Sequence, residues 1–225
     1  DGFDVDYVAH EMGHQMGAEH TFNAAPDCGS SDQPFRMEPG SAVSIIGYAG
    51  ICGDNSNLQR NSIDTFHILS MTQAIAHIGG GGACGTTSGS NNAPVVAALT
   101  NYTIPFNTPF TLTATANDPD GNPVTYSWEQ YDAGATPSDY TGTTDDDDAG
   151  GALRPLFRNY LPTASGSRTF PSLTYILNDA NEPPVFYTGT SATGSVCAAT
   201  CITGEDLPSV ARAMNFRVVA RDNLG

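Results

Sequence analysis

The stretch His10-Glu11-Met12-Gly13-His14-Gln15-Met16-Gly17-Ala18-Glu19-His20 constrains this chain more than any other. His10 and His14 are four residues apart, which on a helix puts them one turn apart on the same face. Two neutral imidazoles so placed can hold a single Zn²⁺ at about 2.0–2.1 Å each. Gly17 ends the helix, because glycine adopts the left-handed conformation at little steric cost. The chain can then turn back and bring His20 to the same point. Three His ligands leave one tetrahedral position open, the mark of a catalytic rather than a structural site. Glu11 is offset from the His face by about 100° of helix rotation. Its carboxylate is thereby set beside the open position, where it can take a proton from water and pass it to a leaving amine. An H-E-x-x-H pair arises by chance; the added Gly and third His at fixed spacing make chance a poor explanation.

The rest of the chain arranges itself around this stretch. The spacing predicts a helix over 4–16, capped by Asp4, with Val5, Val8, Met12 and Met16 on one stripe facing the core. Residues 21–60 are rich in Pro and Gly and read as loops. A second helix is predicted over 62–78, capped by Ser62, with Asp64 in its first turn and Ile63, Phe66, Met71, Ala74, Ile75 and Ile78 as its apolar stripe. His67 and His77 fall on it, but three better-spaced ligands already exist. Residues 79–93 are Gly- and Ser-rich and read as a connector. From Pro94 onward the period becomes two. Leu112, Ala114 and Ala116, then Val124, Tyr126 and Trp128, then Phe216, Val218 and Ala220 alternate with mostly polar neighbours, as half-buried strands do. Residues 132–165 lack periodicity and carry Asp145 to Asp148, which reads as an acidic surface loop. Asp118-Pro119-Asp120-Gly121-Asn122 imitates the start of a calcium loop, but Pro123 stands where an EF-hand needs Gly. Asp118 and Asp120, with Asp222, are candidate oxygen donors for a Ca²⁺ ion at a sheet edge; the alternative is a plain Asp-Pro-Asp-Gly turn.

The run from Asp6-Tyr7-Val8-Ala9-His10 to His20-Thr21-Phe22-Asn23, with Glu38-Pro39-Gly40-Ser41 and Gly47-Tyr48-Ala49-Gly50-Ile51-Cys52, resembles the reprolysin-like metzincin zinc peptidases of secreted bacterial multidomain proteins. The resemblance covers about residues 1–85. It implies His10, His14 and His20 as zinc ligands, Glu11 as general base, and a protein or peptide substrate. Ser44-Ile45-Ile46-Gly47-Tyr48 stands where that family has its Met-turn, with Ile46 in the Met position. Ile is apolar and of similar volume, so it can still form an apolar floor under the metal. The resemblance makes Tyr48 a candidate fifth ligand or oxyanion donor, against the alternative of a core Tyr with a satisfied hydroxyl. A metzincin domain has a sheet and helices ahead of its zinc helix, so the upstream part is expected to lie outside this chain. The period-two region resembles the immunoglobulin- or cadherin-like modules that follow such catalytic domains. The expected fold class is therefore α+β, the C-terminal part of a metzincin catalytic domain over 1–85. A linker at 86–93 and an all-β sandwich over 94–225 follow.

Charge narrows the partners. The chain carries 24 acidic and 8 basic residues, a net −16, which excludes nucleic acid and anionic membrane as natural partners. No stretch is apolar enough to span a bilayer. Five cysteines suit an extracellular, disulfide-forming setting. Cys28 and Cys52 are able to pair, Cys197 and Cys201 lie close together, and Cys84 is the odd one, though pairing is not fixed by sequence. The expected function is a secreted or cell-surface zinc endopeptidase of a bacterium, using a zinc-activated water. The alternative is a non-catalytic extracellular binding protein that carries a degenerate peptidase domain.

Overall fold

The structure, a computed structural model, describes residues 5–24, 28–29, 34–53, 55–86, 88–134 and 154–224. The expected Asp4 cap, the Val5 side chain and the Asp145–Asp148 run lie outside the described residues. Helix α1 spans Val5–Gln15, and Gly17 ends it with φ +84°. The Ala18 amide reaches back to the Gly13 carbonyl at 3.0 Å and the Gly17 amide to His14 at 2.9 Å. That is the left-handed termination the sequence calls for.

Helix α2 spans Ile68–Gly79, six residues later than the spacing predicts. Residues 62–67 are drawn away from helix by the turn beside α1. Ile63 N donates to Val43 O at 2.8 Å, and Ile45 N donates to Thr65 O at 3.0 Å. His67, not Ser62, is the N-cap: its Nδ1 accepts from Leu69 N at 3.1 Å. The buried Glu129 carboxyl accepts from Ile68 N at 2.6 Å, at the positive end of the helix.

The strands are β1 (Val95–Val96), β2 (Phe110–Thr113), β3 (Ala116–Asn117), β4 (Thr125–Gln130), β5 (Ser167–Phe170), β6 (Phe186–Tyr187), β7 (Cys201–Ile202) and β8 (Phe216–Arg221). A short helix α3, Leu173–Leu177, follows β5. Among the described residues they form four antiparallel pairs: β1–β3, β2–β5, β4–β8 and β6–β7. The fold is mixed α+β. The longest ladder pairs Trp128 with Val218 and Gln130 with Phe216. Trp128 joins Ala114, Leu156, Phe157, Phe170 and Leu207 in one core, with Phe110 and Phe216 against it. The half-buried alternation expected of β4 does not hold. Ser127 to Gln130 are all buried, because Trp128 faces this core while Glu129 faces the start of α2.

A second core gathers Phe22, Ala24, Cys28, Ala42, Val43 and Leu58, and it takes Ile202 from the far end of the chain. Cys28 is bonded to Cys52 and Cys197 to Cys201, while Cys84 is free and exposed. The expected surface loop over 132–165 is exposed at Leu161 and over 163–165 but buried over 154–159. Leu156 and Phe157 fill the Trp128 core, and Arg158 and Asn159 are almost fully covered. Arg158 donates to Leu58 O at 3.2 Å, so this segment is a strut between the two cores.

The apolar stripe of α1 departs most from expectation. Val8, Met12 and Met16 are exposed, Met12 at 50%, and so are Ile75 and Ile78 of α2. What α1 buries instead is its His10 and Gly13 side. The buried Ile46 lies so close to Gly13 that a Cβ there would overlap its Cδ1.

Candidate metal centre

His10 and His14 project from one face of α1, and the Gly17 turn returns His20 to them. The Nε2 atoms of His10 and His14 are 3.0 Å apart, those of His14 and His20 3.1 Å, and those of His10 and His20 3.3 Å. Four-coordinate zinc with Zn–N bonds of about 2.0–2.1 Å at tetrahedral angles requires nitrogens about 3.3 Å apart, so this triangle fits the ion. Among the described residues these three are the group of His, Cys, Asp or Glu able to hold a metal together.

The backbone sets the tautomers. His10 Nδ1 lies 2.7 Å from Ile45 O, and His14 Nδ1 lies 2.7 Å from Ala18 O. A carbonyl only accepts, so both Nδ1 atoms carry the proton and both Nε2 lone pairs are left for the metal. The same Gly17 turn that aims His20 therefore also places the Ala18 carbonyl behind His14. Burial lowers the His10 pKa, the hydrogen bond to the Ile45 carbonyl opposes this, and the neighbouring His14 adds to the lowering.

Ile46 is fully buried beneath α1, with Phe66 Cε1 3.1 Å from where a Gly13 Cβ would stand. Ile46 is thus an apolar, enclosed side chain against the Gly13 side of α1. The Tyr48 ring packs 4.6 Å from His20, 4.7 Å from Phe22 and 5.6 Å from His10, centroid to centroid. Burial, and then the Glu11 charge, raise the Tyr48 pKa, so the phenol stays a hydrogen-bond donor at neutral pH. Glu11 is exposed and, with His10, Ile45, Tyr48 and Arg60, lines a cavity of about 240 Å³. The structure thus brings His10, His14, His20, Glu11 and Tyr48 together.

The other candidates lie elsewhere. His67 is buried as a helix cap and His77 is exposed on α2. The calcium expectation is not supported, because among the described residues Asp118, Asp120 and Asp222 do not come together as a group able to hold a metal. Asp118 Oδ1 accepts from Asp120 N at 2.9 Å and Asn122 N at 3.1 Å, the turn alternative. Asp120 accepts from Asn92 N at 2.7 Å, and Asp222 from Asn91 Nδ2 at 2.6 Å. These carboxylates pin the end of the Gly/Ser-rich connector to the strands instead.

Sequence reasoning passed over Glu38 as a residue with a role of its own. It is fully buried, and its lone pairs are shared among donors from three segments. A Glu flanked by Met37 and Pro39 in a loop-rich stretch was the available signal, since a buried charge there needs donors.

Three imidazoles on a helix and the turn after it could hold one metal ion, and the Glu11 carboxylate lines the cavity that His10 borders. Residues 1–77 match the family model described as metallo-peptidase family M12B, reprolysin-like. The match takes in α1, the three His residues, Ile46, Tyr48 and most of α2, and it supports a reprolysin-like metallopeptidase domain in this part of the chain. No curated protein and no solved structure matches the chain.

Proposed function

We propose that this chain carries the zinc site of a secreted bacterial endopeptidase. The observation that carries the proposal is the Nε2 triangle of 3.0–3.3 Å with Nδ1 atoms turned to carbonyls. Zinc, when bound, supplies a Lewis acid that acidifies water and polarises the scissile carbonyl. His10, His14 and His20 hold it. Glu11 accepts the proton of the attacking water and returns it to the leaving amine. The Tyr48 phenol donates to the oxyanion of the tetrahedral intermediate. The cavity beside Glu11 and Tyr48 accepts a side chain of the peptide next to the scissile bond.

Several wider features belong to the same reading. The exposed stripe of Val8, Met12 and Met16 is the surface on which an upstream part of the peptidase domain packs. Residues 94–225 act as an immunoglobulin- or cadherin-like sandwich, supported by the β2–β5 and β4–β8 pairs that share the Trp128 core. The two disulfides and the net charge of −16 favour an extracellular setting. Replacing Glu11 by Ala in the full polypeptide should abolish peptide hydrolysis and leave zinc bound. Hydrolysis that survives the replacement would remove Glu11 from its role.

A further inference from the structure

Thr21 directly follows the ligand His20, and Val43 and Ser44 directly precede the turn that holds Ile45 and Ile46. One buried carboxylate joins these two stretches. Glu38 Oε2 accepts from the Thr21 hydroxyl at 2.6 Å and from the Ser44 hydroxyl. Its Oε1 accepts from Val43 N and Ser44 N, both at 3.2 Å, and from Asn159 Nδ2 at 3.1 Å. Every one of these groups is buried. The backbone of the same region repeats the link, with Glu38 N and Met37 N donating to Thr21 O at 3.0 and 2.9 Å.

The turn fixed in this way carries the Ile45 carbonyl that orients His10, and the segment fixed in this way carries His20. Two of the three imidazoles are thus referred to one carboxylate that touches neither. A carboxylate is acceptor-only, and its two oxygens share these five donors over about four lone-pair sites; an amide of the same shape has one acceptor oxygen and turns an NH₂ group onto the remaining donors. Asn159 comes from the strut at 154–160, more than a hundred residues along the chain from Glu38.

We propose that Glu38 is the positioning residue of the three-His site, setting His20 against His10, and that Asn159 makes the C-terminal part of the chain a member of the same frame. This rests on the zinc reading given above. Its chemistry is orientation: Glu38 meets no substrate and moves no proton.

The test measures zinc affinity by chelator competition, alongside the urea midpoint of the metal-free chain, for the native protein, Glu38→Gln, Thr21→Val and Asn159→Ala. Glu38→Gln is expected to weaken zinc binding by about 10–100-fold, the usual range for groups that orient metal ligands. Thr21→Val and Asn159→Ala, which each remove one donor, are expected to weaken it less but measurably. A Glu38→Gln chain that folds and binds zinc as tightly as native overturns the proposal, whatever its urea midpoint. If that variant does not fold, Thr21→Val decides in the same way for Glu38. Unchanged zinc affinity in a folded Asn159→Ala chain removes the C-terminal part from the frame. A native chain that binds no zinc refutes the metal reading itself, and is seen before any variant is made.

Discussion

Ile46→Ala tests the packing that holds α1 over the turn. Ile46 is fully buried, and it occupies the space that a Cβ on Gly13 would need. The substitution removes three buried carbons, worth about 2.4 kcal/mol of transfer free energy at about 0.8 kcal/mol each. A residual cavity of about 50 Å³ adds about 1 kcal/mol at about 24 cal/mol per Å³. The metal-free chain should therefore lose about 3.5 kcal/mol, within the range of about 2–5 kcal/mol seen when a buried Ile or Leu becomes Ala. Urea unfolding in the presence of a chelator measures this, with circular dichroism reporting α1 and fluorescence of the single Trp128 reporting the other core. Ile46→Met, which nearly conserves volume, should cost less than about 1.5 kcal/mol. A loss below about 1 kcal/mol for Ile46→Ala would refute the packing argument, because a side chain so enclosed cannot be trimmed so cheaply.

Two further outcomes are expected. Burial, opposed by His67 and the Ile68 amide, holds the Glu129 pKa above the ordinary carboxylate value. The unfolded chain then releases this proton first, so Glu129 contributes stability at low pH that is lost as pH rises from the unfolded toward the folded pKa. Glu129→Gln should flatten that part of the urea-midpoint profile, and a profile parallel to native would remove Glu129 as its source. Tyr48→Phe should keep zinc and lower kcat by about 10²–10³-fold with little change in KM, as loss of an oxyanion donor does; an unchanged kcat would return Tyr48 to a packing role.

Much of the metal centre was legible because its logic is local. His10, His14, Gly17 and His20 lie within eleven residues, and a helix followed by a left-handed turn is enough to converge them. That Ile46 is buried was legible from its apolar side chain in the stretch expected to lie against the helix. Strands β4 and β8 fell where their period-two runs stand, while the run at Leu112, Ala114 and Ala116 is split between β2, which ends at Thr113, and β3, which starts at Ala116. The start of α2 was not legible, since Ile63 and Thr65 are held by hydrogen bonds to Val43 and Ile45 that no local propensity encodes. The stripe of Val8, Met12 and Met16 shows the limit of periodicity: it marks an apolar face without saying what covers it. Residues 154–160 have no period because they serve both cores at once, with Phe157 in one and Arg158 reaching the backbone of the other. Glu38 and Asn159 meet only in three dimensions, and their pairing has no trace in either neighbourhood.

The most direct measurement is the zinc content of the purified chain, taken beside a His14→Ala variant. His14 Nε2 stands 3.0 and 3.1 Å from its two partners, so its removal leaves only two ligands. About one zinc per native chain is expected, the stoichiometry of a three-His site, with loss of that zinc in the variant. A native chain without zinc, or a His14→Ala chain that keeps it, would contradict the assignment of His10, His14 and His20 as the metal centre.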